Sequence, residues 1–304
     1  MIKSITVTNY LGDSLVLDLA RPELSGFVVK SVTGLGAGKS TINTTEVATN
    51  DGSIYNSARL SSRNIVLSLA FLWKPTIEDV RHLSYKFFPI KRMVTLLIET
   101  DNRLAQITGY VESNEPTIFS KDEGSDISII CPDPFFYSAG EDGTNVTTFS
   151  GIDSLFEFPF SNESLTENLL EMGSIQNLMD KVVVYDGDSE IGITITIYIM
   201  GPTTNIAIYN TGTRETMRID TDKITSIMGS GLTAGDEIII CTVKGKKSIS
   251  LLRNGVRTNI LNCLDKNTDW FTLAKGDNVF AYSADTGANN LQFKIENQVI
   301  YEGV

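Results

Sequence analysis

Hydrophobic and polar residues alternate in short runs along most of the chain, and this period-two pattern predicts β-strands. In the first half the alternation runs on both sides of Gly12-Asp13, which has the composition of a tight turn. The strands predicted for this half are a pair within residues 2–19 and single strands at 27–32, 63–73, 94–99 and 104–112.

Residues 75–88 have the spacing of a helix instead. Thr76 can cap the first turn, Pro89 ends the segment, and four apolar side chains share one face. These four are Ile77, Val80, Leu83 and Phe87. The single histidine, His82, falls on the opposite polar face, so we interpret it as a solvated residue and not as a catalytic one.

Turn residues separate short strand-like runs in the second half. The predicted strands are 182–187, 191–200, 205–210, 216–220, 236–243, 248–255, 269–274, 278–284 and 291–301. Regular short strands with turns between them predict a β-sandwich. Residues 139–181, before this series, are irregular: Phe156, Phe158 and Phe160 alternate as in a strand, and residues 163–180 fit a short helix.

Prolines interrupt the strand pattern at the junction of the two halves. The strand that includes Ile107 is predicted to break at Asn114-Glu115-Pro116, and the pattern resumes at residues 127–131. Pro132 and Pro134 then remove two backbone donors and fix two φ angles, so no strand ladder is expected to run through them.

An aromatic run follows these prolines and needs a surface on which to pack. We therefore predict two domains, residues 1–138 and residues 139–304, which a rigid interdomain elbow joins. The predicted elbow residues are Pro132, Pro134, Phe135, Phe136 and Tyr137.

Residues 42–62 are polar and contain the turn signal Asn50-Asp51-Gly52, a combination that predicts a long hairpin arm. The two limbs carry too few apolar residues to offset the entropy of their own ordering in an isolated monomer. We therefore expect the arm to be either mobile or laid against a neighbouring subunit. The residues that we predict at such a contact are Thr44, Thr45, Glu46, Asn50, Asp51 and Tyr55.

Gly38-Lys39-Ser40 resembles the end of a phosphate-binding loop. That loop needs a glycine five residues before its last glycine, but Thr33 stands there. The loop also opens into a helix, whereas the β-branched run at residues 41–45 follows here. The hypothesis of an NTP-dependent enzyme depends on these three residues alone. We expect the glycines to bend the backbone instead.

The net charge of −12 is concentrated in one segment. Residues 1–138 carry a net charge of −2 and residues 193–304 are balanced, whereas residues 139–192 hold 11 acidic residues and one basic residue, Lys181. This segment is either a solvated face or a surface that repels nucleic acid. In both cases the chain lacks the basic footprint of a protein that binds phosphate backbones, so no specific nucleic-acid partner is predicted.

The sequence contains no recognisable catalytic motif. Cys131, Cys241 and Cys263 are far apart and are expected to be reduced, and no Cys/His cluster indicates a metal. Asp186-Gly187-Asp188-Ser189-Glu190 is too short for an EF-hand and indicates a turn or a loosely held surface cation. We predict no enzyme activity, no cofactor and no metal site. Because the chain has no signal peptide and no apolar run of about 18 residues, we also predict no membrane insertion.

Several motifs, taken in order, resemble the siphophage distal tail proteins, which are the baseplate hub proteins of long non-contractile phage tails. In the first half they are residues 5–15 (ITVTNYLGDSL), the polar arm, residues 86–89 (KFFP) and the stretch from Gly109-Tyr110 to Tyr137. In the second half they are residues 234–237 (AGDE), 245–248 (GKKS), 252–255 (LRNG), 269–273 (DWFTL), 276–278 (GDN) and 301–304 (YEGV). The sequence departs from the pattern of this family at Ile206, because a proline is expected after Asn205. The departure affects only a local turn.

The resemblance implies a structural protein at the tail tip of the virion, made in the cytoplasm of the bacterial host and encoded by a siphovirus or a prophage. Its first domain would be a β-rich α+β domain that builds a six-membered ring, with the arm embracing the next subunit. Its second domain would be a galectin-like or jelly-roll β-sandwich that projects outward. The implied partners are further copies of the chain in a homo-hexamer, the tail tube protein, and a tail-associated lysin, fibre or receptor-binding protein.

Aromatic residues leave one alternative function open, a carbohydrate-binding module that recognises host-surface glycans through the C-terminal sandwich. The residues that could stack on sugars are Trp73, Trp270, Tyr282 and Tyr301. Each lies in an apolar strand-like run, where packing in a core or an interface is the expected role. Trp270 is the residue whose replacement would test the alternative.

Overall fold

The chain forms two compact units, which a computed structural model describes for residues 1–46, 48, 51–117, 123–140, 143–153, 174–177 and 179–304. Residues 1–143 and 300–304 make up the first unit, and residues 144–299 make up the second. The functional division into domains 1–138 and 139–304 stays a prediction.

Strands supply most of the first unit. Its elements are β1 (Ile2–Thr8), β2 (Ser14–Asp18), β3 (Phe27–Thr33), β4 (Ser40–Glu46), β5 (Ser53–Leu60), β6 (Arg63–Phe71), α1 (Ile77–Phe87), β7 (Met93–Thr100), β8 (Leu104–Thr117), β9 (Gly124–Cys131) and β10 (Phe136–Ser138), with a short 3-10 helix at Pro22–Leu24. One antiparallel sheet has the order β2-β1-β7-β8-β9-β6-β3, and β10 pairs with β8. The predicted strand pair, the later strands and the helix at 75–88 are confirmed, with small shifts at their ends.

Alternation in the strands explains the core of this unit. In β6, Ile65, Leu67 and Leu69 point to one side and are buried, while residues between them are more exposed. Helix α1 buries Val80 and Phe87 in the same core. Such burial stabilises a fold by roughly 1.5–3 kcal/mol for each large apolar side chain.

The break predicted at Asn114-Glu115-Pro116 is wrong, because these residues lie inside β8 and pair with β9. In the described sheet β7 pairs with β8 only as far as Tyr110, so Pro116 lies where β8 has one neighbouring strand, a position that tolerates proline. Asn114 is buried and bonds the strand to the helix. Its Nδ2 donates to Ser84 Oγ at 3.1 Å, and its Oδ1 accepts from Ser125 Oγ at 2.5 Å.

The second unit is a β-sandwich. Its elements are β11 (Thr144–Thr148), β12 (Ser150–Asp153), β13 (Ser174–Asn177), β14 (Asp180–Tyr185), β15 (Ile191–Gly192), β16 (Thr194–Ile199), β17 (Thr204–Asn210), β18 (Glu215–Ile219), α2 (Thr221–Met228), β19 (Glu237–Cys241), β20 (Ser248–Arg253), β21 (Val256–Asn259), β22 (Thr272–Leu273), β23 (Gly276–Thr286) and β24 (Leu291–Gln298), with 3-10 helices at Leu261–Cys263 and Ala288–Asn290. Strand β25 (Ile300–Tyr301) belongs to the first unit and pairs with β10. The run predicted as one strand at 291–301 is therefore two strands.

Aromatic rings join the two large sheets of the sandwich, which have the orders β11-β24-β16-β19-β20-β21 and β14-β23-β17-β18. Tyr282 of the second sheet stacks on Phe293 of the first, with ring centroids 4.0 Å apart. Phe149 contacts both rings at about 6 Å. The predicted mainly β fold class is confirmed for the chain.

Two helix assignments differ from the sequence prediction. Helix α2 was not predicted, because its sequence lacks a conspicuous apolar stripe. Its ends nevertheless have ordinary caps: Asp220 accepts hydrogen bonds from the amides of Asp222 and Lys223, and Gly229 ends the helix at φ +76°. The helix predicted at 163–180 is wrong for residues 174–177, which pair with β12 as β13.

Residues 163–173 and 178 of that predicted helix lie outside the described residues, as do Phe156, Phe158 and Phe160. The segment 139–181, predicted as irregular, contains β11, β12 and β13 and the first residues of β14 in its described part.

Candidate assembly interface

The arm is the hairpin of β4 and β5, residues 40–60. Every residue of its two strands except Leu60 is exposed. Among the described residues the strands pair only with each other, so both outer edges of the hairpin are open. Side-chain hydrogen bonds cross it, from Asn43 Nδ2 to Ser57 Oγ at 3.0 Å and from Asn56 Nδ2 to Thr45 Oγ1 at 2.6 Å. The hairpin predicted at 42–62 is confirmed.

Large apolar side chains stand exposed on both faces of the arm. Thr44 lies opposite Tyr55, and strand alternation places Ile42 on the same face as this pair. Thr45 lies opposite Ile54 on the other face. Ile42, Ile54 and Tyr55 are 60%, 59% and 63% exposed. The sequence prediction named Tyr55 but not the two isoleucines, which a count of apolar residues in a polar segment would have found.

The remaining predicted contact residues lie toward the tip of the arm. Glu46 pairs with Ser53 across the hairpin, and Asp51 is exposed in the turn. Asn50 lies outside the described residues. The assignment of all these residues to a subunit contact stays a prediction.

Arg63 fixes the base of the arm, and the sequence analysis did not single it out. Its side chain is buried, and its guanidinium donates hydrogen bonds to four backbone carbonyls. Nε bonds Pro134 at 2.7 Å, Nη1 bonds Gly34 at 2.6 Å and also Gly36, and Nη2 bonds Glu302 at 2.6 Å. Burial lowers the pKa of this guanidinium. One cation thus ties the chain before the arm to the elbow and to the segment 300–304.

Gly34 shows what the glycine-rich run before the arm does. Its φ is +84°, and a Cβ at this position would lie 2.1 Å from the carbonyl oxygen of Asn64. Strand β4 then starts at Ser40, so no helix N-terminus faces Gly38-Lys39-Ser40. The run bends the backbone and presents carbonyls to Arg63, as expected of a structural role.

The predicted elbow residues all lie in the first unit. Phe136 is fully buried, Pro134, Phe135 and Tyr137 are half-buried, and Pro132 is exposed. Asp133 stabilises the bend, because its carboxylate accepts hydrogen bonds from the Phe135 amide at 3.2 Å and the Tyr137 hydroxyl at 2.7 Å. Their function as an interdomain elbow stays a prediction.

A polar groove of about 410 Å³ lies on the second unit. Strands β17, β18 and β23 supply its floor, and the first turn of α2 and the segment after Cys263 supply the rest. Its lining includes Ala207, Tyr209, Arg218, Asp265 and Ser283. No sequence prediction concerned this groove, because its residues come together only when three distant strands pair.

The aromatic residues proposed to stack on sugars lie elsewhere. Trp73 is 79% exposed and follows the end of β6, so it does not pack in the core, and packing in an interface stays a prediction. Trp270 lies before β22 and not in a strand; it is half-buried, and Lys247 Nζ lies 5.3 Å from its ring. Tyr282 is buried as expected, and Tyr301 packs beneath Arg103 at 4.5 Å.

Asp236, which is buried, and Arg253, which is half-buried, form a bidentate ion pair in the sandwich. Nε and Nη2 of Arg253 donate to the two carboxylate oxygens at 2.8 and 2.6 Å. Burial alone raises the pKa of Asp236, but hydrogen bonds from Arg253 and Thr233 outweigh it and lower the pKa below its ordinary value. This pair joins the start of β19 to the end of β20.

The other charged residues considered earlier are peripheral. His82 is exposed and lies 3.8 Å from Glu78, and Asp188 lies 3.8 Å from Lys275. Within the described residues, no group of three or more His, Cys, Asp or Glu side chains is placed to hold a metal ion. In the same part of the chain, no helix combines the length and the apolarity that a membrane crossing requires.

Comparison with known families finds a match within the second unit. Residues 186–296 match the family described as siphovirus-type tail component, C-terminal domain. No curated protein sequence matches the chain.

Among solved structures, the Dit (gp 19.1) protein of SPP1, described as a paradigm of hub adsorption apparatus in phages that infect Gram-positive bacteria, is similar over 97% of this chain and 98% of its own. The TM-score is 0.64 and the identity 13%. A chain from the phage p2 baseplate in its activated conformation with calcium aligns over 98% of both chains, with a TM-score of 0.48 and 13% identity.

The chain thus shares its β-rich fold with the Dit protein of SPP1, and its residues 186–296 match a siphovirus-type tail component domain.

Proposed function

We propose that the chain is a non-enzymatic structural hub, of which six copies form a closed ring that joins the tail tube to the adhesion apparatus. The first unit builds the ring, and the sandwich docks a tail-associated lysin, fibre or receptor-binding protein. Support comes from the fold shared with a hub protein of an adsorption apparatus over nearly the whole chain.

The exposed arm carries the proposal. A hairpin of two strands is at best marginally stable in water by itself, and this one exposes Ile42, Ile54 and Tyr55 as well as both strand edges. Contact with another chain would cover these groups. In a closed ring each subunit offers two different faces, so the arm would be one face and a different surface of the next copy would receive it.

Arg63 supports the same role, because an arm can direct a neighbour only if its base is held. Its guanidinium donates hydrogen bonds to the carbonyls of Gly34 and Gly36 before β4. Arg63 is also the first residue of β6, the strand that follows β5. The Lys39 carbonyl also accepts from the Ser61 amide at 3.3 Å, which closes the hairpin at its base. The arm therefore leaves the sheet from a rigid point.

The mass of the particle tests this proposal. Multi-angle light scattering on the full chain is expected to give six times the mass of one chain, and Tyr55→Asp is expected to shift the particle towards monomer. Val256→Asp is the matched control, because Val256 is 65% exposed on the sandwich, away from the arm. A monomer at every concentration, or a Tyr55→Asp protein that assembles as well as the control, would contradict the proposal.

A further inference from the structure

The groove on the second unit has the construction of a ligand site. Ala207 lies at the centre of three paired strands, opposite Arg218 on β18 and Ser283 on β23. One position along β17, on the same face, Tyr209 lies opposite Thr216. A small side chain between larger neighbours leaves a depression, with the tyrosine ring as one wall.

Unengaged donors and acceptors line the depression. The side chains of Arg218, Asp222 and Asp265 make no hydrogen bond and no ion pair with any other described residue, although each lines the groove. Ser283 and Tyr209 share a hydrogen bond between their hydroxyl groups at 3.3 Å. The groove therefore offers a guanidinium, two carboxylates and two hydroxyls around an aromatic face.

We propose that this groove binds a short neutral saccharide, with a C–H face of the sugar on Tyr209 and its hydroxyls on Arg218 and Asp265. Sugar hydroxyls both donate and accept hydrogen bonds, so they satisfy carboxylates and a guanidinium together. The volume of about 410 Å³ lies within the range of small-ligand sites. This site is distinct from Trp270, which does not line the groove.

Charge argues against the other ligand classes. Besides Arg218 the lining contains one cation, Lys223, which pairs with Asp220 at 3.3 Å, whereas Asp222, Asp265 and Asp285 add further negative charge. A phosphate or a sulfated polymer would meet this excess of carboxylates. A basic peptide would leave Arg218 unpaired at the centre of its site.

A panel of neutral mono- and disaccharides, screened against the full chain by saturation-transfer difference NMR, tests the proposal. We expect at least one saccharide to bind saturably. We expect Arg218→Ala to weaken it at least about tenfold, the range for loss of a hydrogen bond to a charged group. Ala207→Leu, which fills the floor, is expected to have the same effect. The control Arg257→Ala removes an exposed cation from the other sheet and is expected to leave binding unchanged.

The outcomes separate cleanly. Binding that both groove variants weaken and the control retains supports the site. The site is refuted when no saccharide of the panel binds, when binding survives both groove variants, or when only an oligolysine peptide or inorganic phosphate binds. The mass of the particle is measured independently, so failure here leaves the proposed ring untouched.

Discussion

The guanidinium carbon of Arg63 lies 4.6 Å from the centre of the Phe136 ring. The same guanidinium donates hydrogen bonds to the backbone carbonyls of Gly34, Pro134 and Glu302. A planar, delocalised charge suits this position, because it can lie over an aromatic ring while its N–H groups reach carbonyls around its edge. Segments distant in sequence therefore depend on one side chain.

Arg63→Lys is expected to destabilise the first unit by about 2–4 kcal/mol, since lysine keeps the charge but loses the planar array of donors. Urea denaturation followed by tryptophan fluorescence measures this, because Trp73 lies in the first unit and Trp270 in the second. A Trp270→Phe background isolates the first unit. Arg59→Lys, on the exposed arm, is the control and is expected to change little. An unchanged midpoint for Arg63→Lys would show that the guanidinium contacts are dispensable.

Asn114→Ala is expected to cost about 1–3 kcal/mol of unfolding free energy, because it leaves buried Ser84 and Ser125 hydroxyls without their partner. The exposed turn residue Asn102 provides a matched Asn→Ala control. Chemical denaturation of both variants in the same Trp270→Phe background gives the comparison. Equal free energies of unfolding for the two variants would show that the Asn114 side chain does not stabilise the first unit.

Acid is expected to weaken the sandwich through Asp236. Its folded pKa is lowered, so the pair with Arg253 contributes stability above the unfolded pKa of about 4, and this contribution is lost as pH falls through the folded pKa. Asp236→Asn should destabilise the sandwich by about 3–5 kcal/mol at neutral pH, because it leaves the half-buried Arg253 without a counter-charge.

Thermal unfolding of both proteins between pH 7 and pH 2 tests this. The difference in Tm is expected to shrink below about pH 4. A difference that stays constant over the whole range would mean that Asp236 does not titrate as its contacts require.

Cys131 is expected to resist alkylation in the folded protein. Burial raises the pKa of its thiol to about 11, outweighing the opposite effect of Arg63, so little thiolate exists at pH 8. Cys241 is half-buried and should react first with iodoacetamide. Peptide mapping after timed labelling separates the two sites, with urea-unfolded protein as the control in which both react. Labelling of Cys131 as fast as Cys241 in native protein would contradict the buried environment.

Local patterns predicted most elements, because they depend on neighbours in sequence. Period two placed the strand that contains Leu67 and Leu69, and helical spacing placed Val80 and Phe87 on one buried face. Pro116 misled the prediction, since a proline ends a strand only where its amide is needed by a partner, and the partner is not visible in the sequence.

Contacts between distant segments could not be predicted from the sequence, and the reason is physical. Arg63 is one arginine at the start of an apolar run, and nothing near it shows that residue 302 will return to bind it. The groove has the same origin, because Ala207, Arg218 and Ser283 meet only through strand pairing. The hairpin arm was predictable because its turn and its largely polar composition are both local features of the sequence.

Hydrogen exchange of the arm, measured on assembled and monomeric protein, tests the central claim most directly. If a neighbouring copy stabilises the arm, amides of residues 40–60 are expected to exchange slowly in the assembled particle. They should exchange at least about tenfold faster in the Tyr55→Asp monomer, while the β6 amides stay protected in both. Equal exchange of the arm in the two forms would contradict the claim that a second copy holds it.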